Sequence, residues 1–129
     1  MNWLEKINDK AWFYIFKSYT LPETIYLEDI ILEGNSITIR CYFFLPDQEI
    51  HERWEKEGVN AVYFTIGALS MLEPPRIGTK NITSKCEIQI TGEKSKMNMV
   101  ITKENGEIII ETTTILISIN NIERCYIYP

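Results

Sequence analysis

The 129-residue sequence has one histidine, three cysteines and no long apolar run, and each of these shortages excludes a class of protein. General acid–base catalysis at neutral pH usually recruits histidine. His51 lies in a highly charged segment with no second histidine or cysteine beside it. Cys41, Cys86 and Cys125 lie far apart, which excludes a C-x-x-C zinc or redox motif. Their odd number also argues against a secreted disulfide framework.

Sequence signals for membranes, secretion and common catalytic chemistries are missing as well. The longest weakly polar run, Ala61 to Leu72, is too short to cross a bilayer. The N-terminus lacks the basic flank and apolar stretch of a signal peptide. No G-x-S-x-G, P-loop, G-x-G-x-x-G, H-E-x-x-H or calcium-loop pattern occurs. We therefore expect a cytoplasmic protein that is not an enzyme and that holds no metal and no cofactor. A small hydrolase with two facing carboxylates is the catalytic alternative, because the 15 glutamates offer many pairs.

Basic residues are fewer than acidic residues. The chain has 13 basic and 18 acidic residues, a net charge of -5 and a pI near 4.9. A nucleic-acid-binding protein needs a basic surface to displace counterions from phosphates, and an anionic membrane would repel this chain. We therefore expect neither nucleic acid nor membrane as a partner. A basic protein partner stays open, because opposite charges accelerate encounter, although the same acidity also serves solubility.

The residues that are abundant favour a single β-rich domain spanning 1–129. Apolar residues make up 45% of the chain and isoleucine alone supplies 22 positions, and β-branched side chains favour strands. The first residues are the exception, because their apolar positions recur near a 3.6-residue period, which predicts an N-terminal helix that ends before Pro22. These apolar positions are Trp3, Leu4, Ile7, Ala11, Phe13 (or Tyr14) and Ile15.

Two pairs of alternating segments predict β-hairpins. Ile25–Glu33 and Ser36–Leu45 flank Gly34-Asn35, and folding the chain there places Asp29 opposite Arg40 on one face. The other face of that hairpin pairs apolar residues, Ile30 with Ile39 and Leu32 with Ile37. The second hairpin turns at Asn105-Gly106, joins Met97–Lys103 to Glu107–Thr113, and places Ile101 opposite Ile110 and Met99 opposite Thr112.

The remaining segments complete the predicted fold. They are a short helix over 47–58, a central strand Val59–Leu69, a half-exposed strand Lys85–Thr91, and closing strands Ile115–Ile119 and Cys125–Tyr128. The predicted class is α+β and predominantly antiparallel β. An N-terminal helix packs on a meandering sheet of about seven strands, and one short helix follows the second strand. An exposed edge at Lys85–Thr91 would allow a weak homodimer, and otherwise we expect a monomer.

Surface residues rather than catalytic ones are the candidate site. The predicted partner-binding strip consists of acidic side chains around one tryptophan: Asp47, Glu49, Glu52, Trp54, Glu55 and Glu57. Acidic residues beside an aromatic anchor suit a basic partner, and the alternative is a solvated helix face whose tryptophan points inward. A second candidate is Tyr42 and Phe44, which share the polar face of the first hairpin with Arg40.

Several segments resemble the immunity proteins of bacterial polymorphic toxin systems, and in particular immunity protein family fifty. The similar segments are Asn2-Trp3-Leu4, Leu27-Glu28-Asp29-Ile30, Ile39-Arg40-Cys41-Tyr42-Phe43, and Trp54 through Gly58 to Phe64. The resemblance implies a single β-rich cytoplasmic domain that binds a cognate toxin domain and neutralises it by occluding its active site. It supplies no site residues. Basic, nuclease-like toxins are the partners that the negative charge fits.

The alternative function is a small-molecule carrier or sensor whose curled sheet encloses an apolar pocket. Its predicted lining is an aromatic cluster of Trp12, Tyr14, Phe16, Tyr63 and Phe64.

Overall fold

A computed structural model describes residues 7, 10, 12, 24–45, 58–71, 76–77, 84–93 and 95–127. All the elements within these residues are β-strands. They are β1 (Ile25–Glu33), β2 (Ser36–Phe44), β3 (Ala61–Ser70), β4 (Arg76–Ile77), β5 (Ser84–Glu93), β6 (Lys96–Lys103) and β7 (Ile108–Cys125).

Six of these strands form a closed ring of antiparallel pairs. β1, β2 and β3 are paired in succession, and so are β5, β6 and β7. A long β3–β7 pairing joins the two groups on one side, and a three-residue pairing of β1 with β5 joins them on the other. Strand β4 lies outside the ring and pairs with Ile110 and Glu111 of β7. Closure gives most strands two hydrogen-bonded neighbours, which removes the edges that an open sheet exposes.

Strand β7 holds the ring together because it changes partners halfway along its length. Its first half pairs with β6 up to Thr114, and from Thr114 onward it pairs with β3. Buried hydroxyls lie at this crossover. Thr114 Oγ1 donates to the carbonyl of Met97 at 3.0 Å, and Ser70 Oγ lies 2.9 Å from Thr112 Oγ1. Each hydroxyl thus has a partner, as buried polar groups require.

The core fills the inside of the ring. Along β2 the odd-numbered residues from Ile37 to Phe43 are buried while their neighbours are partly exposed, which is the two-residue period of a half-buried strand. Trp12 is fully buried, and its ring lies 5.4 Å from the Phe64 ring and 6.0 Å from the Phe43 ring. Fully buried aliphatic side chains line the rest of the interior: Leu27, Ile37, Ile39, Ile66, Met99, Ile101, Ile109 and Ile110.

The predicted hairpins and their registers are confirmed. Asp29 lies opposite Arg40 across the Gly34-Asn35 turn. The apolar pairs are also as predicted: Ile30 with Ile39, Leu32 with Ile37, Ile101 with Ile110 and Met99 with Thr112. The predicted central strand is β3, which has β2 on one side and β7 on the other. Its alternate residues from Val62 to Ala68 are buried in the core, whereas Tyr63 and Leu69 on its other face are partly exposed.

The predicted α+β class is wrong. The described residues form an almost purely antiparallel β structure with no helix among its elements, because isoleucine-rich segments with a two-residue period dominate them. Ile7, Lys10 and Trp12, the described residues of the predicted N-terminal helix, are in helical conformation. The rest of the predicted N-terminal helix, and the predicted helix over 47–58 up to Glu57, lie outside the described residues.

The C-terminal strands also differ from the prediction. Glu107–Thr113, Ile115–Ile119 and Cys125–Tyr128 were expected as separate strands, whereas β7 runs continuously from Ile108 to Cys125. The polar pair Asn120-Asn121 resembles a loop in the sequence but forms a bulge, where the β3–β7 register shifts and Asn121 has a φ of 51°. Asparagine tolerates this left-handed conformation, so the strand continues through it.

The strand predicted as an exposed edge, Lys85–Thr91, joins the ring only at its start, and among the described residues Glu87–Thr91 pairs with β6 alone, so an edge remains there. It belongs to β5, which pairs with β6 along its length and with β1 at Ser84–Cys86. Within the described part of the chain, no helix combines the length and the apolar character needed to cross a membrane.

Candidate protein-binding face

Three tyrosines form a row across the outer face of the ring. Tyr26 of β1 lies opposite Tyr42 of β2, which in turn lies opposite Tyr63 of β3. Their chain neighbours Leu27, Cys41, Phe43, Val62 and Phe64 are buried in the core, so the alternation of a strand turns the three tyrosines outward. The ring centroids of Tyr26 and Tyr42 are 5.1 Å apart, and those of Tyr42 and Tyr63 are 5.2 Å apart.

Phe44 extends this row into a continuous patch, which we call the aromatic face (Tyr26, Tyr42, Phe44 and Tyr63). Two residues beyond Tyr42 on the same strand, Phe44 has the same orientation, and 37% of it is exposed. Its ring meets Tyr26 and Tyr42 edge to face, with centroids 5.8 and 6.0 Å apart. These distances suit favourable aromatic pairs, so the rings brace one another on a rigid sheet.

Arg40 lies beside the aromatic face on the other side of Tyr42. Its guanidinium carbon is 4.5 Å from the centroid of the Tyr63 ring, a cation–π geometry. Its Nε lies 3.7 Å from a Glu28 carboxylate oxygen, and its Nη2 lies 3.4 Å from a carboxylate oxygen of Glu123. One ring and two carboxylates from three neighbouring strands therefore hold this single cation.

A β-bulge at Glu28 brings the first of these carboxylates to the face. Leu27 pairs with Cys41 but Asp29 pairs with Arg40, so β1 has one residue more than β2 at this point. The sequence correctly predicts Asp29 opposite Arg40, yet the Asp29 carboxylate accepts a hydrogen bond from the backbone N–H of Ile30 at 2.9 Å. Glu28 forms the ion pair with Arg40, because a bulge redirects a side chain that regular alternation would bury.

The hydroxyls of Tyr42 and Tyr63 resist ionisation. Partial burial raises the pKa of Tyr63 to about 12, aided by a hydrogen bond to Glu28 and by the negative charge of that carboxylate. Burial also raises the pKa of Tyr42, with smaller contributions from Tyr26 and Glu28. Both hydroxyls therefore stay protonated at neutral pH and are able to donate hydrogen bonds.

We expect Glu28→Gln to lower the pKa of Tyr63 but to leave it above the ordinary value of about 10, because burial is the larger cause. The folded state holds this proton more tightly than the unfolded chain. The resulting stability is complete below a pH of about 10 and is lost as pH rises through the folded-state pKa. An alkaline titration of tyrosinate absorbance measures the shift, and Tyr63→Phe identifies the Tyr63 transition. An unchanged Tyr63 transition in Glu28→Gln would exclude the Glu28 contribution.

The predicted site residues have different outcomes. The acidic strip (Asp47, Glu49, Glu52, Trp54, Glu55 and Glu57) lies outside the described residues, so it stays a prediction. The second candidate, Tyr42 and Phe44 beside Arg40, is part of the aromatic face. Sequence reasoning missed Tyr26, Glu28 and Glu123, and it assigned Tyr63 to an internal pocket. Aligning β2 with β3 in the sequence would have placed Tyr63 opposite Tyr42 and therefore on the outer face.

The predicted lining of a carrier pocket is divided between two sides of the sheet. Trp12 and Phe64 pack against each other in the core, whereas Tyr63 lies on the outer face. Tyr14 and Phe16 lie outside the described residues. The three described members of this predicted lining, Trp12, Tyr63 and Phe64, therefore do not converge on one ligand.

A groove of about 360 Å³ lies elsewhere, at the start of β5. Its lining mixes both charges and one thiol: Thr24, Lys85, Cys86, Glu87 and Glu104. Burial raises the pKa of Cys86 to about 12, which disfavours the nucleophilic thiolate. Among the residues that the structure describes, no three acidic, histidine or cysteine side chains cluster as a metal site.

Comparisons with known proteins add no relative. No family model matches the chain, and searches of curated proteins and of solved structures return no match either.

Proposed function

We propose that this chain is an immunity protein that binds a cognate toxin domain, occludes its active site and makes contact through the aromatic face. The observation that carries the proposal is the row of three tyrosines, extended by Phe44 and flanked by Arg40, on the outer surface of the sheet. Tyrosine and arginine are among the residue types most enriched at the energetic centres of protein interfaces.

The construction of the face suits tight binding. Each ring is braced by at least one other ring and stands on a strand with hydrogen-bonded neighbours. Binding then costs little side-chain entropy, because few rotamers remain to be lost on contact. The tyrosine hydroxyls, protonated at neutral pH, supply polar contacts at the same surface.

The cysteines support a binding function rather than nucleophilic catalysis. Burial raises the pKa of Cys41, of Cys86 and of the half-buried Cys125 above the ordinary thiol value. A thiol nucleophile requires the opposite shift, which a nearby positive charge or a helix N-terminus provides. Identifying the partner as a toxin rests on the resemblance to immunity proteins, and the aromatic face supports the contact surface.

To test the proposal, the C-terminal domain of the protein encoded by the neighbouring gene is expressed in bacteria with and without this chain. We expect growth arrest by that domain alone and rescue through a stable one-to-one complex. Tyr42→Ala should weaken the complex about 30-fold, the loss typical of a residue that contributes about 2 kcal/mol to an interface. Leu116→Ala is the matched control, because Leu116 is 60% exposed on β7 at the other end of the same sheet.

The outcomes test the immunity function and the contact surface separately. A harmless neighbouring domain, or killing that this chain does not relieve, would exclude the immunity function at this locus. Rescue that persists in a folded Tyr42→Ala variant with unchanged affinity would exclude the aromatic face. The variant Glu52→Lys/Glu55→Lys then tests the acidic strip, which is expected to carry the contact if the aromatic face does not.

A further inference from the structure

The aromatic face already binds one arginine, and this arginine belongs to the chain itself. The Arg40 guanidinium lies over the Tyr63 ring and within 4 Å of two carboxylates, those of Glu28 and Glu123. A π face combined with carboxylates is the chemistry by which proteins recognise guanidinium groups from a partner. The internal contact thus shows what this surface recognises.

At the end of the aromatic face away from Arg40, Tyr26 and Phe44 also present aromatic rings. Along β2, Arg40 lies two residues before Tyr42 and Phe44 lies two residues after it. Phe44 and Tyr26 therefore form the end of the face that is remote from the guanidinium. The Phe44 ring is exposed enough to be reached from solvent. A second cation that approaches from the Phe44 side would meet π faces and edges before it meets the charge of Arg40, while Lys85 of β5 lies on the far side of Tyr26.

The charge of the surrounding strands favours such a cation. Strands β1, β2, β3 and the second half of β7 carry four carboxylates, those of Glu28, Asp29, Glu33 and Glu123. They carry two cations, Arg40 and Arg124, and the adjoining β5 adds Lys85, which lies opposite Tyr26. Arg40 is already ion-paired on both sides, and the whole chain has a net charge of -5. Carboxylates thus outnumber cations by four to three around the face, and together with the net charge of the chain they favour a basic over an acidic partner surface.

We infer that the aromatic face recognises a basic protein surface whose arginine side chains stack on Tyr26 and Phe44 and compete with Arg40 for Glu28 and Glu123. This inference rests on the proposed function and names the chemistry of its partner. Arg40 then lowers the affinity for a cationic partner, because it pairs with both carboxylates, offsets one of their two negative charges and covers one ring. Removing it should strengthen binding, whereas a structural role alone would never produce a gain.

The test uses the full chain and a hexa-arginine peptide as the probe. Arg40→Gln should bind the peptide about two- to fivefold more tightly, and Glu28→Gln/Glu123→Gln about two- to fivefold more weakly, the range of exposed ion pairs. Charge-matched controls lie on the other strands: Lys96→Gln for the first variant and Glu87→Gln/Glu93→Gln for the second. Isothermal titration at low and high salt gives the affinities, and NMR shifts of the aromatic rings locate the peptide.

The result that supports the inference is a gain in Arg40→Gln, a loss in the double variant and ring shifts centred on Tyr26 and Phe44. Equal changes in the charge-matched controls would show that net charge alone determines the affinity for the peptide. That result would overturn specific recognition by the aromatic face. Weaker binding in Arg40→Gln would overturn this role of Arg40. Because the peptide assay needs no toxin, rescue of growth without peptide binding would refute only the partner's chemistry. Peptide binding without rescue would refute only the immunity function.

Discussion

Phe64→Ala is expected to lower the free energy of unfolding by about 3–5 kcal/mol, the range for deleting a fully buried aromatic side chain. Phe64 is fully buried on the central strand β3, and its ring meets Trp12 edge to face and lies 6.0 Å from Phe43. Truncation would remove the hydrophobic transfer energy and leave a cavity beside the Trp12 and Phe43 rings, because backbone pairing on both sides of β3 limits how far the strand can move to fill it. Urea denaturation of the two proteins measures the difference.

Leu69→Ala on the same strand provides the control for this loss. Leu69 is 37% exposed on the outer surface, so its truncation should cost well under half as much. A cost for Phe64→Ala similar to that of Leu69→Ala would mean that the interior collapses around the missing ring. That result would contradict a core held apart by ring closure.

Local signals in the sequence are sufficient to predict the hairpins. Gly34-Asn35 and Asn105-Gly106 each join two alternating segments, and the turn together with the apolar pattern determines which residues face each other. The opposition of Asp29 to Arg40 and of Ile101 to Ile110 follows from counting outward from these turns. Both registers are therefore predictable from neighbours close in the chain.

Closure of the ring is not predictable in this way, because it depends on pairs distant in sequence. The β3–β7 and β1–β5 pairings join segments that no shared turn aligns. Continuous pairing of β7 with β3 also overrides the loop signal of Asn120-Asn121. Hydrogen bonds to a neighbouring strand outweigh the weak local preference of two asparagines, so the strand bulges instead of ending.

The candidate site is likewise predictable from the sequence only in part. Tyr42, Phe44 and Arg40 alternate along one strand, so the sequence alone groups them on one face. Tyr26 joins them only because of the bulge at Glu28. An uninterrupted register would place Tyr26 opposite Phe43 and turn its ring toward the core. One extra residue in β1 thus creates the row of tyrosines.

Gly92→Ala should destabilise the protein more than the same change at Gly106, although both glycines lie in hairpins and have positive φ values. Gly92 has a φ of +101° and Gly106 a φ of +89°, so alanine pays a similar backbone penalty of about 1–2 kcal/mol at each site. At Gly92 the new Cβ would also lie 2.5 Å from the backbone carbonyl oxygen of Lys96, whereas Gly106 has open space. This overlap should add about 1–3 kcal/mol.

The excess is expected because the obstructing atom belongs to backbone rather than to a flexible side chain. Glu93 pairs with Lys96, and Gly92 with Met97, so moving the Lys96 carbonyl would disturb the β5–β6 ladder. Urea denaturation of both alanine variants, each referred to the parent protein, isolates the contribution of the overlap. Equal losses would show that the β5–β6 turn relaxes at no cost. A larger loss at Gly92 would mean that the close packing of Lys96 against this position, in addition to its φ angle, requires glycine.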